Sequence, residues 1–166
     1  MKDNILTDHT LIIDELETSI KFHNWNFILS FLPKGSYLVG GYIRDIILGR
    51  VNEEIDIDIV VPFNALEIGK KISNNFESKC IILDDKREVV RILLNHISID
   101  IANQVSSTIE GDLSSRDFSI NSIAFLFDQK CLFDPLDGLK DLKISMLRTQ
   151  SEINLQNDPL RILRCF

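Results

Sequence analysis

Two aspartates separated by one isoleucine, Asp56 and Asp58, stand in the run IDIDIVV. In an extended strand, residues i and i+2 share a face about 6–7 Å apart, so both carboxylates point one way and the isoleucines the other. Two such carboxylates repel each other unless a cation lies between them. That is the layout of a two-metal phosphoryl-transfer site; the bland alternative is the solvent-facing acidic side of an edge strand. Asp100, in the run SIDI, repeats the pattern. It joins the pair if the two strands are neighbours and is an isolated surface acid if they are not. Gly40-Gly41 lies between an apolar run and a helical one, where backbone can approach a ligand closely and the following helix offers free N–H groups to phosphate. A tight turn with no ligand accounts for the two glycines as well. Arg116, Asp117 and Asn121 are polar at the start of an otherwise apolar segment, with a helix cap as the simpler role for Asp117. Asp158 and Arg161, three apart, share a helix face, as a recognition pair or as a plain ion pair.

The elements that must position these residues follow from pattern and punctuation. Leu11, Ile12, Leu16 and Ile20 lie on one face of a helix within Asp8–Ile20. A second helix spans Trp25–Leu32 and stops at Pro33. Ser36–Val39 is a short buried strand, and Tyr42–Leu48 a helix that ends at Gly49. Ile55–Val61 is a strand. Asn64 caps a helix bearing Ala65, Ile68, Ile72 and Phe76 at helical spacing. Cys80–Leu83, Arg87–Leu94 and Ile97–Ala102 are strands, joined by turns at Asp84-Asp85 and Asn95-His96. Arg116–Ala124 is expected to be helical, with a hairpin of Phe125–Phe127 and Cys131–Phe133 after it. Asp137–Ile144 is a short helix, and Asp158-Pro159 opens a last one, with proline at its first position. The fold class is α/β, a small mixed sheet flanked by helices.

Composition narrows the class of function. The 166 residues are 45% hydrophobic and 26% charged, the balance of one globular domain. No apolar run approaches a membrane span, and the N-terminus carries acids where a signal peptide carries bases, so a cytoplasmic protein is expected. Cys80, Cys131 and Cys165 are too far apart for a zinc site and odd in number for a disulfide framework. His9, His23 and His96 are as scattered, and no HExxH or HxxxH occurs. The net charge of −7 disfavours broad nucleic-acid binding, although divalent cations can bridge an acidic body to a polyanion.

In this order the segments GGYIRD (Gly40–Asp45), LGR (Leu48–Arg50), DIDIVV (Asp56–Val61), RDFSINSIA (Arg116–Ala124), DPLDGLKDL (Asp134–Leu142), LRT (Leu147–Thr149) and DPLRILR (Asp158–Arg164) resemble the class II tRNA nucleotidyltransferase and bacterial poly(A) polymerase family, of the DNA polymerase beta superfamily. The resemblance covers roughly Ser36 to Phe166. It implies a polymerase-beta-like catalytic head over 36–166 that ends at the start of a neck helix, with the helices of 1–35 packed on it. It implies that Gly40 and Gly41 hold a triphosphate and that Asp56 and Asp58 bind Mg²⁺; Asp100, on the strand pattern, is the candidate third catalytic carboxylate. Arg44, Asp45, Arg116, Asp117, Asn121, Asp158 and Arg161 are then nucleotide-binding. Two motifs depart from the family: its RRD reads Ser115-Arg116-Asp117, and the leading acid of its EDxxR is Asn157.

The activity implied is Mg²⁺-dependent, template-independent transfer of CMP or AMP from CTP or ATP to an RNA 3′ end, most directly that of tRNA. Cytosine and adenine both present an amino donor beside a ring-nitrogen acceptor, whereas uracil and guanine reverse the pattern. A carboxylate and an arginine, Asp158 and Arg161, match the first pattern. In CCA-adding members a longer flexible loop precedes the RRD motif; here only Asn103–Ser115 lies there, as in members that add C alone and in other short relatives. Poly(A) synthesis and a non-catalytic nucleotide-binding module are the alternatives.

Overall fold

The computed structural model describes Leu6 and residues 8–50 and 54–165, the side chains of Asn157 and Cys165 apart. The expectations placed on those two side chains and on Phe166 lie outside the described residues. Helix α1 (His9–Phe22) is opened by Asp8, whose carboxylate accepts the amides of Thr10 and Leu11. Strand β1 (Tyr37–Val39) leads through Gly40 into α2 (Gly41–Ile47). Then come β2 (Ile55–Val61), α3 (Ala65–Asn75), β3 (Lys79–Asp84), β4 (Val89–Leu94) and β5 (Ile97–Asn103). The chain continues through α4 (Ile109–Ser114), β6 (Ala124–Leu126), β7 (Cys131–Phe133), α5 (Gly138–Lys143) and α6 (Glu152–Asn157).

The strands form one sheet in the order β3-β4-β5-β2-β1-β6-β7. Only β2 and β5 run parallel; every other pair is antiparallel. The alternation in β2 and β5 sends Ile55, Ile57, Ile59, Ile97, Ile99 and Ile101 to one face, into a core shared with Ile12, Leu16 and Ile20 of α1, Trp25, and Ile68 and Ile72 of α3. The opposite face carries the aspartates. At one end of that face Val39, Val60 and Ala124 pack against Ile109 and Leu113 of α4. The rest is left open, and there the site lies.

Several elements differ from the sequence expectation. Leu11 is 54% exposed; Ile12, Leu16 and Ile20 alone form the buried stripe of α1. The expected helix over Trp25–Leu32 is a 3-10 turn, Asn26–Phe31. Asn64 stands at the N-cap of α3 in the left-handed region and makes no capping bond; the Ala65 amide donates instead to Asn103 Oδ1, 2.9 Å away. Arg116–Ala124 is not a helix. Asp117 takes the Phe118 amide on its own side chain, Phe118 bridges to Thr149, only Ser119–Asn121 coils as a 3-10 turn, and Ala124 already belongs to β6. Such short-range side-chain bonds compete with a helix ladder. Asp158 follows the unforeseen helix α6, and Pro159–Cys165 is a 3-10 turn in place of an α-helix.

Candidate functional site

Strand β2 presents Asp56 and Asp58 on the open face, Asp56 exposed and Asp58 half-buried. Register sets Asp58 beside Val39 of β1 on one side and Asp100 of β5 on the other. The two acidic strands are therefore neighbours. Gly40 has a φ of +82°, which a side chain rarely tolerates, and a Cβ there would stand 2.5 Å from Asp58 Oδ2. The glycine thus meets two needs, the turn between β1 and α2 and the space over the carboxylate.

Asp58 lines a cavity of about 380 Å³ shared with Gly40, Gly41, Arg44, Arg116, Asp117, Asn121, Asp158 and Arg161. This cavity brings together nine of the residues singled out in the sequence. Asp56 and Asp45 face a second cavity of about 180 Å³, which Gly41, Arg44 and Asp58 also line. Asp58 is the carboxylate common to both. Asp100 lines neither: its two oxygens take Nε and Nη2 of Arg91, each at 2.7 Å.

A network of bonds holds the cavity wall. Arg44 donates Nη1 to Asn121 Oδ1 at 2.7 Å and grips Asp45 through Nε and Nη2. Asn121 donates in turn to Asp117, whose other oxygen accepts Arg164 Nη1 at 2.8 Å. Burial works against the Asp117 charge, yet Asn121, the Phe118 amide and Arg164 together hold its carboxyl below the usual range. Arg161 donates Nη1 to the Ser115 carbonyl at 2.8 Å and pairs with Asp158 through Nε at 3.5 Å. No partner among the described residues takes its Nη2, which leaves the two N–H groups of that nitrogen for a ligand.

Burial pushes the Asp58 carboxyl up, opposed by Arg116, with Asp100 and Asp56 pushing the same way and Arg164 opposing. Asp58 makes no hydrogen bond or ion pair among the described residues. A crowded carboxylate without a donor beside an exposed second one is an oxygen donor set suited to a hard divalent cation. The fit is that of a two-carboxylate site: among the described residues no three His, Cys, Asp or Glu side chains converge on a metal position.

The sequence reading missed Arg91, Arg164, Asp112 and His23. Arg164 lies three residues past Arg161, so helical spacing could have flagged it. Arg91 was legible from the Asn95-His96 turn, since a tight hairpin there pairs 91 with 100. Asp112, buried in α4, accepts the Val105 amide and faces Arg116 at 3.4 Å; with α4 unforeseen, nothing marked it. His23 borders the second cavity, its Nδ1 near the Tyr42 hydroxyl at 3.1 Å, and only the packing of α1 on α2 puts it there.

A mixed sheet with paired carboxylates on a central strand, beside a glycine turn and a cavity walled by arginines, defines a nucleotidyltransferase head. The chain belongs to the poly(A) polymerase head domain family, whose model matches residues 36–148. This is a family of nucleotidyltransferases, which use a divalent metal. The chain is 40% identical over 140 residues to a CC-adding tRNA nucleotidyltransferase of Synechocystis sp., covering 84% of this chain and 34% of that protein. It is 36% identical over 132 residues to an A-adding tRNA nucleotidyltransferase of Deinococcus radiodurans, covering 80% and 29%. A CCA-adding enzyme solved with ATP superposes at a TM-score of 0.73 and 33% identity, over 93% of this chain and 39% of that one. The Thermotoga maritima CCA-adding enzyme, solved with tRNA, does so at 0.67 and 38%, over 78% and 32%. The chain thus spans about a third of the length of the curated relatives it matches. No described helix is long and apolar enough to cross a membrane.

Proposed function

We propose that this chain is the catalytic head of an enzyme that transfers CMP or AMP from CTP or ATP to an RNA 3′ end, most directly that of tRNA. The observation that carries the reading is Asp58 at the junction of two cavities, with Asp56 on one side and the Gly40-Gly41 turn, Arg116 and the Asp158–Arg161 pair on the other. In this reading residues 36–166 are the head, the helices of 1–35 are its packing elements, and the protein works in the cytoplasm with tRNA. The short stretch between β5 and α4 favours C addition, because the resemblance reserves a long loop there for enzymes that add all of CCA.

Asp56 and Asp58 would hold Mg²⁺. The metal, when bound, supplies charge that lowers the cost of ionising the RNA 3′-hydroxyl and of releasing pyrophosphate. The remaining work belongs to the protein. Arg116, Asp117 and Asn121 wall the cavity where the nucleotide's sugar would lie. Asp158 accepts from the exocyclic amino group of C or A, and the open Nη2 of Arg161 donates to the ring nitrogen beside it. The 3′-hydroxyl gives its proton up to solvent as its oxygen attacks the α-phosphorus, and the bond from that phosphorus to the oxygen bridging to the β-phosphate breaks. The nucleotide is then joined to the RNA, and pyrophosphate leaves with the bonding pair.

The test is calorimetric titration of the chain with each of the four NTPs, with Mg²⁺ and with EDTA. CTP and ATP are expected to bind only with the metal, and UTP and GTP at least about tenfold more weakly, the equivalent of one well-placed hydrogen-bonded pair. Binding indifferent to metal and base would overturn the reading in favour of a non-catalytic module. ATP bound far more tightly than CTP would favour A addition, the activity named for the Deinococcus radiodurans relative, or poly(A) synthesis, named for a 28% identical relative from Haemophilus influenzae; transfer assays with tRNA against other RNA separate the two.

A further inference from the structure

Strand register makes Asp100 the nearest acidic neighbour of Asp58, a position from which a third carboxylate joins a shared metal site. Its side chain is engaged elsewhere. Arg91, its cross-strand partner, forks onto both oxygens at 2.7 Å in the bidentate geometry that fixes a carboxylate most firmly. Asp100 is 21% exposed and lines neither cavity at the Asp56/Asp58 pair. Arg91 is 42% exposed and makes no other hydrogen bond or ion pair among the described residues, so its engagement is with Asp100 alone.

We propose that Arg91 is a positioning residue that withholds Asp100 from the metal shell, so that Asp56 and Asp58 bind the cation alone and Asp100 is kept as a fixed acceptor for the RNA 3′-hydroxyl. The proposal rests on the reading of Asp56 and Asp58 as the metal site. Three carboxylates on adjacent positions of two paired strands form a strongly anionic patch. A guanidinium neutralises the one on β5 permanently, where a second metal would do so only when bound. A carboxylate that receives two N–H donors keeps a lone pair on each oxygen. Asp100 in this state can still accept a hydrogen bond from a hydroxyl, and its orientation is set before the hydroxyl arrives. Arg91 thereby divides the acidic face into a cation half on β2 and an acceptor half on β5.

The test counts ligands on a metal probe. Eu³⁺ is bound to the chain, and its luminescence lifetime in H₂O against D₂O gives the number of coordinated waters. Mn²⁺ affinity is measured in parallel. Asp56→Asn serves as the control for the reading itself and is expected to weaken Mn²⁺ at least about tenfold, the usual scale for a lost metal contact. If Asp56→Asn changes nothing, the metal site is misassigned and the proposal falls with it. With that control in hand, Asp100→Asn is expected to leave the water count unchanged. Arg91→Met is expected to lower it by at least one, because the released Asp100 displaces water, and the double variant to restore it. Arg91→Lys, which keeps the charge and loses the fork, is expected to lie between wild type and Arg91→Met. A water gained in Asp100→Asn would show that Asp100 already ligates the metal. An unchanged count in Arg91→Met would show that the ion pair withholds nothing. Either result overturns the proposal while leaving Asp56 and Asp58 as metal ligands.

Discussion

Burial raises the Asp58 carboxyl above its ordinary range, and Asp100 and Asp56 add to the shift against Arg116 and Arg164. In the unfolded chain the same group titrates as any aspartate. Between the two values the folded state holds more protons than the unfolded one, so stability falls as pH rises through that window, and at neutral pH ionised Asp58 subtracts from it. The metal-free chain with Asp58→Asn is therefore expected to melt above wild type at pH 7 in EDTA. The gap should close below the ordinary carboxylate range, where both side chains are neutral. Scanning calorimetry across pH measures it, and a wild type as stable as the variant at pH 7 would refute the cost assigned to the buried charge. Mg²⁺ should stabilise wild type and not the variant. If Asp158 reads the base as proposed, Asp158→Ala is expected to leave metal-dependent CTP binding in place and to narrow its preference over UTP toward unity. Titration with the two nucleotides reads this directly, and an unchanged ratio would mean that the base edge is read elsewhere. Asp56 and Asp58 were legible in the sequence because strand period and a same-charge pair suffice to flag them. The constraint on Asp100 took one step more, since only the Asn95-His96 hairpin brings Arg91 opposite it on the neighbouring strand.

Elements bring these residues together through a few close contacts. The step from β1 into α2 passes Gly40, whose left-handed φ and nearness to Asp58 leave no place for a side chain. Gly40→Ala is expected to cost about 1–2 kcal/mol from backbone conformation alone, and more from contact with the carboxylate. Urea denaturation gives the loss, and a variant as stable as wild type would show that the turn relaxes freely. On the far side, Asp141 of α5 is fully buried; it accepts Ser119 Oγ at 2.6 Å and Arg148 Nη2 at 2.9 Å. These bonds tie α5 and the 148–149 segment to the turn that carries Asn121. Asp141→Ala is expected to cost about 2 kcal/mol, the scale of hydrogen bonds to a charged group, and to weaken CTP binding although Asp141 does not line the nucleotide cavity. Unchanged CTP affinity would confine its role to stability. The misread segment 116–124 shows what pattern alone leaves out. Phe118, Ile120 and Ile123 have a helical look, but the segment's bonds go to Thr149, Arg148 and Asp141, about 20 to 30 residues further on. The strands β4 and β5 were legible for the opposite reason, since a tight turn pairs them, and β2 was legible from its own alternation although its partners β1 and β5 lie far along the chain.

Across the whole molecule, the parallel pair of β2 and β5 lies inside the sheet, with β3-β4 beyond it on one side and β1-β6-β7 on the other. Ile57, Ile59, Ile99 and Ile101 on its inner face are essentially inaccessible. Amides of β2 and β5 are therefore expected to exchange with solvent most slowly, by global unfolding alone, whereas β7 and the segment 159–165 should exchange early. Hydrogen exchange read by mass spectrometry ranks them, and early exchange in β2 would contradict the buried position given to the carboxylate strand. The larger cavity joins two distant stretches of chain, Gly40 to Val60 and Ala102 to Arg164. A ribosome delivers them in that order. The glycine turn and both carboxylates emerge well before Asp158 and Arg161, the pair proposed to read the base. A nascent chain paused between β5 and α6 would thus hold the means to gather a cation and a phosphate and none to choose a nucleotide. Within this stretch of chain, the residues proposed to choose the base are made after those proposed to hold the cation and the phosphate.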